Sequence, residues 1–99
     1  MKLDVLRQFA PQLNQIAQKH GISRVYVFGS VARGEDTRKS DVDFLLEMQP
    51  GASLFGAAGF SYEAEKLLNL KVDIVPINAL SEIKDQRFVT NIQRDAVVL

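Results

Sequence analysis

The chain has 99 residues, 46% of them hydrophobic and 24% charged, and its 12 basic and 12 acidic side chains cancel to a formal net charge of zero. That length fits one domain, residues 1–99, around one core, and the balanced charge argues against a broad nucleic-acid face, which needs a surplus of Lys and Arg. The absence of Cys excludes disulfides and thiolate metal sites, and no apolar run reaches the roughly 18 residues of a membrane span. The expectation is a soluble cytoplasmic protein whose near-neutral surface favours association.

From the N-terminus, Leu6, Phe9, Leu13, Ile16 and Ala17 recur at steps of three and four, the period of an amphipathic helix. Pro11 disfavours helical backbone at Ala10 and suits the first turn of a new helix. The spacing therefore predicts a short helix near 2–9 and a firmer one over 11–20, with Gly21 as a left-handed stop. "RVYVFG" (24–29) is β-branched and aromatic, ends in Gly, and reads as a strand. "SVARGE" opens a short helix, and "DTRKS" is a loop with Arg38 and Lys39 facing solvent. "DVDFLLEM" (41–48) is a second strand, with Val42, Phe44 and Leu46 on one face and Asp41, Asp43 and Leu45 on the other.

Gly56 and Gly59 weaken the helix propensity of "LFGAAGF", which leaves the start of the next helix open, whereas "YEAEKLLNL" is a better helix. Leu54, Phe55, Phe60 and Tyr62 in this Gly-rich stretch are either core under a loop or a partner-facing apolar patch. "KVDIVPI" (71–77) is a third strand ended by Pro76. "SEIKDQRFVTNIQRD" (81–95) is an amphipathic helix with Ser81 as a candidate N-cap and Ile83, Phe88 or Arg87, Val89 and Ile92 inward. "AVVL" is a final helical turn or a short strand. This order implies an α/β (α+β) fold: a small mixed sheet of three to four strands flanked by helices.

Residues i and i+2 of a strand point the same way, so Asp41 and Asp43 set two carboxylates about 6.5–7 Å apart on one face. They repel unless a cation lies between them. Mg²⁺ takes oxygen ligands and often needs only one or two carboxylates plus substrate phosphates. Taken alone, Asp-x-Asp reads first as an acidic outer face. Asp73 changes that weighing, because it is a lone carboxylate in the apolar run "VDIV". If its strand lies beside 41–48, three carboxylates share a face, which is what two-metal phosphoryl chemistry requires, and Asp73 becomes a candidate general base.

Gly29 and Ser30, at a strand end and helix start, let backbone N–H groups approach a phosphate. No Gly-Lys-Ser/Thr follows, so this is not a P-loop. Arg33 is near enough to reach a phosphate, or is simply solvated. His20, the one histidine, sits at a helix end where the helix dipole accounts for it. Tyr26 alternates with Val25 and Val27 and is structural.

The combination is more specific than its parts. Gly29-Ser30, nine residues, Ser40-Asp41-x-Asp43 with apolar residues after it, and a later strand Asp resemble the nucleotidyltransferase superfamily that includes DNA polymerase beta. "GSVARGEDTRKSDVDFLL" with "VDIV" downstream looks most like the minimal nucleotidyltransferases, the antitoxins paired with HEPN-type toxins. The resemblance implies a nucleotidyltransferase fold with ATP as donor and two Mg²⁺ ions. It implies that Gly29 and Ser30, with Arg33 nearby, hold the triphosphate, that Asp41 and Asp43 bind metal, and that Asp73 completes the catalytic set. It further implies transfer of AMP to a tyrosine of the HEPN partner. So short a chain leaves the site open on one side, with a partner to supply the acceptor. The expected assembly is an oligomer with that partner or a homodimer. The competing reading is a non-catalytic antitoxin that neutralises its partner by occlusion. A small acceptor such as an aminoglycoside would need walls for which the chain has no room.

Overall fold

The computed structural model describes residues 1–37 and 39–99. Arg38, expected to face solvent, lies outside the described residues, whereas Lys39 is exposed as expected. Two N-terminal helices, α1 (Leu3–Gln8) and α2 (Ala10–Lys19), lead into strand β1 (Ile22–Phe28). The short helix α3 (Gly29–Arg33), strand β2 (Val42–Met48) and helix α4 (Leu54–Leu68) follow. Strand β3 (Val72–Pro76), a 3-10 segment over Ile77–Glu82, helix α5 (Gln86–Asp95) and strand β4 (Val97–Val98) complete the chain. The sheet runs β3-β2-β1-β4. Strand β1 is antiparallel to both neighbours, and β2 and β3 are parallel. Only the parallel pair needs a crossover, and α4 supplies it. The expected small mixed sheet flanked by helices is present.

Pro11 falls in the first turn of α2, and Gly21 takes a left-handed φ of +76° just after its end, as the spacing predicts. Strand β1 begins two residues earlier than its alternation suggests. An irregularity in the β1–β2 register between Ile22 and Arg24 puts Ile22 on the core face with Val25 and Val27, and such a bulge breaks the period of two. The main core joins Val25, Val27, Val42, Phe44 and Leu46 of the sheet to Leu13 and Ala17 of α2 and to Ala57, Phe60, Ala64 and Leu68 of α4. Phe44 and Phe60 meet edge to face, with ring centroids 5.6 Å apart.

Two expectations need correction. Residues 54–68 form one continuous helix in spite of their glycines. The reason is close packing: a Cβ on Gly56 would collide with the His20 carbonyl oxygen, and a Cβ on Gly59 would lie 2.5 Å from the His20 ring. Here burial of one helix face overrides propensity. Helix 81–95 is two pieces. The Ser81 hydroxyl donates to the Asn78 carbonyl (3.4 Å) inside the 3-10 segment. The cap is Asp85, whose carboxylate accepts from the N–H groups of Arg87 (3.0 Å) and Phe88 (3.3 Å). Within α5 only Ile92 is buried, whereas Phe88 is 43% exposed.

The opposite sheet face carries a smaller cluster of Phe28, Leu45 and Ile92, with Tyr26, Val75, Ile77, Leu80 and Ala96 packed around it. No helix among the described residues is long and apolar enough to cross a membrane.

Candidate active site

Strand parity places Asp43 and Asp73 on the face that α5 covers. They alternate with Val42 and Phe44 of β2, and with Val72 and Ile74 of β3, all of which belong to or pack on the main core. They are register partners across the parallel β2–β3 pair. On its other side, Asp43 pairs with Phe28, the last residue of β1. Gly29 follows at once with φ +75°, a conformation open to glycine at little cost. A Cβ on Gly29 would lie 3.2 Å from Asp43 Cγ and nearer still to its Oδ2, so the glycine is needed for space as well. The pairing of β1 with β2 thus brings the Gly-Ser turn onto the aspartates, across the loop that separates them in sequence.

These residues line one cleft of about 530 Å³. Five of the six residues expected at the site face it: Gly29, Ser30, Arg33, Asp43 and Asp73. Asp41 does not line it. It is half-buried just before β2, and it acts on the site through charge. Burial first, then the charges of Asp73 and Asp41, push the Asp43 carboxyl up to about 6, against an opposing pull from Arg33.

The far wall of the cleft is α5, which the sequence offered only as a packing helix. Phe88, Asn91, Ile92 and Asp95 all line the cleft. Their spacing of i, i+3, i+4 and i+7 is one helix face, and it was the available signal. Arg33 Nη1 donates to Asp95 Oδ2 at 2.9 Å, its Nε donates to Glu35 Oε2 at 3.0 Å, and Arg94 Nε donates to Asp95 Oδ1 at 3.1 Å. The hydrogen bond from Arg33, reinforced by that from Arg94, holds the Asp95 carboxyl below the usual carboxylate range. Asp95, through its hydrogen bond, raises the Arg33 guanidinium further still. Arg33 is therefore not simply solvated: it is tethered at the cleft wall.

Among the described residues, no three His, Cys, Asp or Glu side chains converge closely enough to hold a metal ion by themselves. The donor set nonetheless suits a hard divalent cation. Two carboxylates stand side by side in one cleft, and one of them is penalised by its like-charged neighbours. A cation would relieve that penalty while drawing its remaining ligands from water and phosphate oxygens.

Other singled-out residues lie elsewhere. His20 pairs with Glu63, which also accepts from Lys19 Nζ at 2.6 Å. Tyr26 packs in the smaller cluster. Phe60 is fully buried core, whereas Leu54, Phe55 and Tyr62 are 71%, 88% and 62% exposed.

The chain matches the Nucleotidyltransferase domain family over residues 6–99. It is 36% identical over 74 residues to the candidate protein adenylyltransferase MJ0435 of Methanocaldococcus jannaschii, covering 75% of this chain and 80% of that one. It is 35% identical over 66 residues to protein adenylyltransferase MntA of Thermococcus cleftensis, covering 67% of each. Among solved structures, a candidate minimal nucleotidyltransferase superposes with a TM-score of 0.80 at 35% identity, covering 100% of this chain and 97% of that one. A toxin-antitoxin structure with AMP-PNP shares the fold at a TM-score of 0.69 and 15% identity, covering 90% of this chain and 70% of that one. The chain belongs to the nucleotidyltransferase domain family, and it is a nucleotidyltransferase.

Proposed function

We propose that this protein moves AMP from ATP to a hydroxyl, that of a tyrosine on a HEPN-type toxin partner, and serves as that partner's antitoxin. The observation that carries the reading is the registered pair Asp43 and Asp73 facing the Gly29-Ser30 turn in one cleft. Adenylyl transfer to protein is supported by the names of MJ0435 and MntA, and the antitoxin role by the fold shared with a toxin-antitoxin pair.

In this reading Gly29 and Ser30 hold the β- and γ-phosphates, and the tethered Arg33 supplies positive charge beside them. Asp43 and Asp73 would hold the divalent metal, Mg²⁺, with Asp41 adding negative charge from beside the cleft, and the metal would supply neutralisation of phosphate charge and activation of the acceptor oxygen. Asp73, exposed at the cleft, takes the acceptor proton. The acceptor oxygen bonds to the α-phosphorus in line, the bond from that phosphorus to the α,β-bridging oxygen breaks, and pyrophosphate leaves. The single-domain, cytoplasmic protein read from the sequence suits an antitoxin that meets its partner in the cytosol.

The test uses the protein, its partner, Mg²⁺ and ATP labelled at the α-phosphate. Label should reach the partner and be lost with Asp43→Ala or Asp73→Ala. A partner that stays unlabelled, yet is still neutralised by both variants, would replace transfer with occlusion.

A further inference from the structure

We infer that Phe88 and Asn91 of α5 form a base subsite, in which the Phe88 ring stacks on an adenine and the Asn91 amide reads its edge. The inference rests on the nucleotide-transfer reading and specifies its substrate.

The cleft is chemically divided along α5. At one end Asp95 is tied to Arg33, beside the Gly29-Ser30 turn. Phe88 lies seven residues earlier on the same helix face, about 10 Å along the axis at the α-helical rise. Val75 adds apolar surface to the same lining. A nucleoside triphosphate has the same division, with charged phosphates at one end and a flat, largely apolar base at the other.

Phe88 is 43% exposed at this wall, whereas Ile92, one turn further on, is 1% exposed and packs with Phe28 and Leu45. The helix thus needs Ile92 for its seat in the fold, while Phe88 leaves much of its ring open. An open aromatic ring binds bases by their faces whatever their sequence identity. Discrimination falls to Asn91, which is exposed, lines the cleft, and has a side-chain amide that makes no hydrogen bond among the described residues. An amide offers one acceptor and two donors. Adenine presents a donor amine beside the acceptor N7 and satisfies both, whereas guanine presents two acceptors on that edge and satisfies one. The cleft volume of about 530 Å³ lies within the range of small-ligand sites.

The experiment is calorimetric titration of the full chain and of Phe88→Ala, Phe88→Tyr and Asn91→Ala with ATP, GTP and inorganic tripolyphosphate, all in Mg²⁺. Thermal melting first shows that each variant is folded. Phe88→Ala should weaken ATP binding about 5- to 50-fold, as loss of one base–aromatic stack does. Phe88→Tyr should restore it. Asn91→Ala should shrink the preference for ATP over GTP about tenfold, as loss of a bidentate base contact does. All three variants should bind tripolyphosphate within twofold of the parent. ATP affinity within twofold of the parent in both alanine variants overturns the subsite and leaves the transfer reading standing, because the parent still binds ATP. Parallel losses for ATP and tripolyphosphate overturn it too, since α5 would then act on the phosphates. A parent chain that binds neither ligand overturns both readings.

Discussion

Gly29 and Asp43 are fitted to one another: the space a side chain would occupy at position 29 is filled by the Asp43 carboxylate, and the backbone at Gly29 is left-handed. Both conditions exclude alanine. Gly29→Ala should cost about 2 kcal/mol of stability, combining the left-handed penalty of roughly 1–2 kcal/mol with displacement of Asp43. Adenylyl transfer should fall at least about tenfold even at temperatures where the variant is fully folded, since a misplaced ligand of about 1 Å is enough for such losses. Denaturant melts and transfer rates, measured on the same preparation, separate the two effects.

The like-charged surroundings of Asp43 make the site, in the absence of a cation, a source of instability. Its carboxyl titrates near 6 in the fold, against about 3.9 in an unfolded chain. Between those values the native state holds more protons, so this group's contribution makes stability fall as pH rises from about 4 to 6 and level off above. Asp43→Asn removes that slope. The group is half-exposed, so solvent screens much of the shift, and the gain at pH 7.5 should be about 1 kcal/mol, or roughly 4–8 °C in Tm. The same variant should lose transfer. Adding Mg²⁺ should raise the Tm of the parent and not that of Asp43→Asn. A variant less stable than the parent at pH 7.5 without metal would refute this account.

What the sequence discloses, and what it hides, follows from the range of the interactions. Gly29, Ser30, Asp43 and Asp73 are legible because strand ends and the period of two fix them locally, and the β1–β2 pairing does the rest. Asp41 is the informative partial case. It shares the parity of Asp43 but stands just before β2 begins, so its side chain leaves the cleft lining. The role of α5 is hidden because amphipathic spacing marks an apolar stripe without saying whether that stripe meets core or cleft. Ile92 does the one and Phe88 the other, four residues apart. Asp85 and Ser81 are both competent caps, and only the 3-10 segment decides between them. The glycines of α4 answer to His20, far back in the chain, where no local propensity reaches.

Asp95 fixes Arg33 from across the cleft, so the two should act as one unit. Asp95→Ala leaves Arg33 with Glu35 alone, which is an exposed partner. If Arg33 holds a phosphate as proposed, the KM for ATP should rise while kcat changes less, because Asp95 would then orient a phosphate contact without touching a reacting atom. Asp95→Ala combined with Arg33→Ala should be no worse than Arg33→Ala alone, the non-additivity expected of a shared partner. Because the carboxyl of Asp95 is held below its ordinary range, the pair contributes stability above about pH 4 and loses it as pH falls through the lowered value. Independent, additive losses in the double variant would show that Asp95 has its own contact with the nucleotide.

The two glycines of α4 should differ in what they tolerate. A Cβ on Gly59 meets the His20 ring, at 2.5 Å from its nearest carbon and 2.6 Å from Nδ1, and a side chain can rotate away. A Cβ on Gly56 meets the His20 carbonyl, whose carbon is 3.3 Å away with its oxygen closer still, and backbone at the end of a helix cannot. Against each clash stands the gain of about 1 kcal/mol in helix propensity from Gly to Ala. Overpacking typically costs about 1–3 kcal/mol. Gly59→Ala should therefore come out within about 1 kcal/mol of the parent, and it should break the pairing of His20 with Glu63. Gly56→Ala should lose about 2 kcal/mol, because the whole end of α2 has to move. Urea unfolding of the two variants gives the order directly. An equal or larger loss at Gly59 would mean that the His20 ring is fixed as firmly as the backbone beneath it.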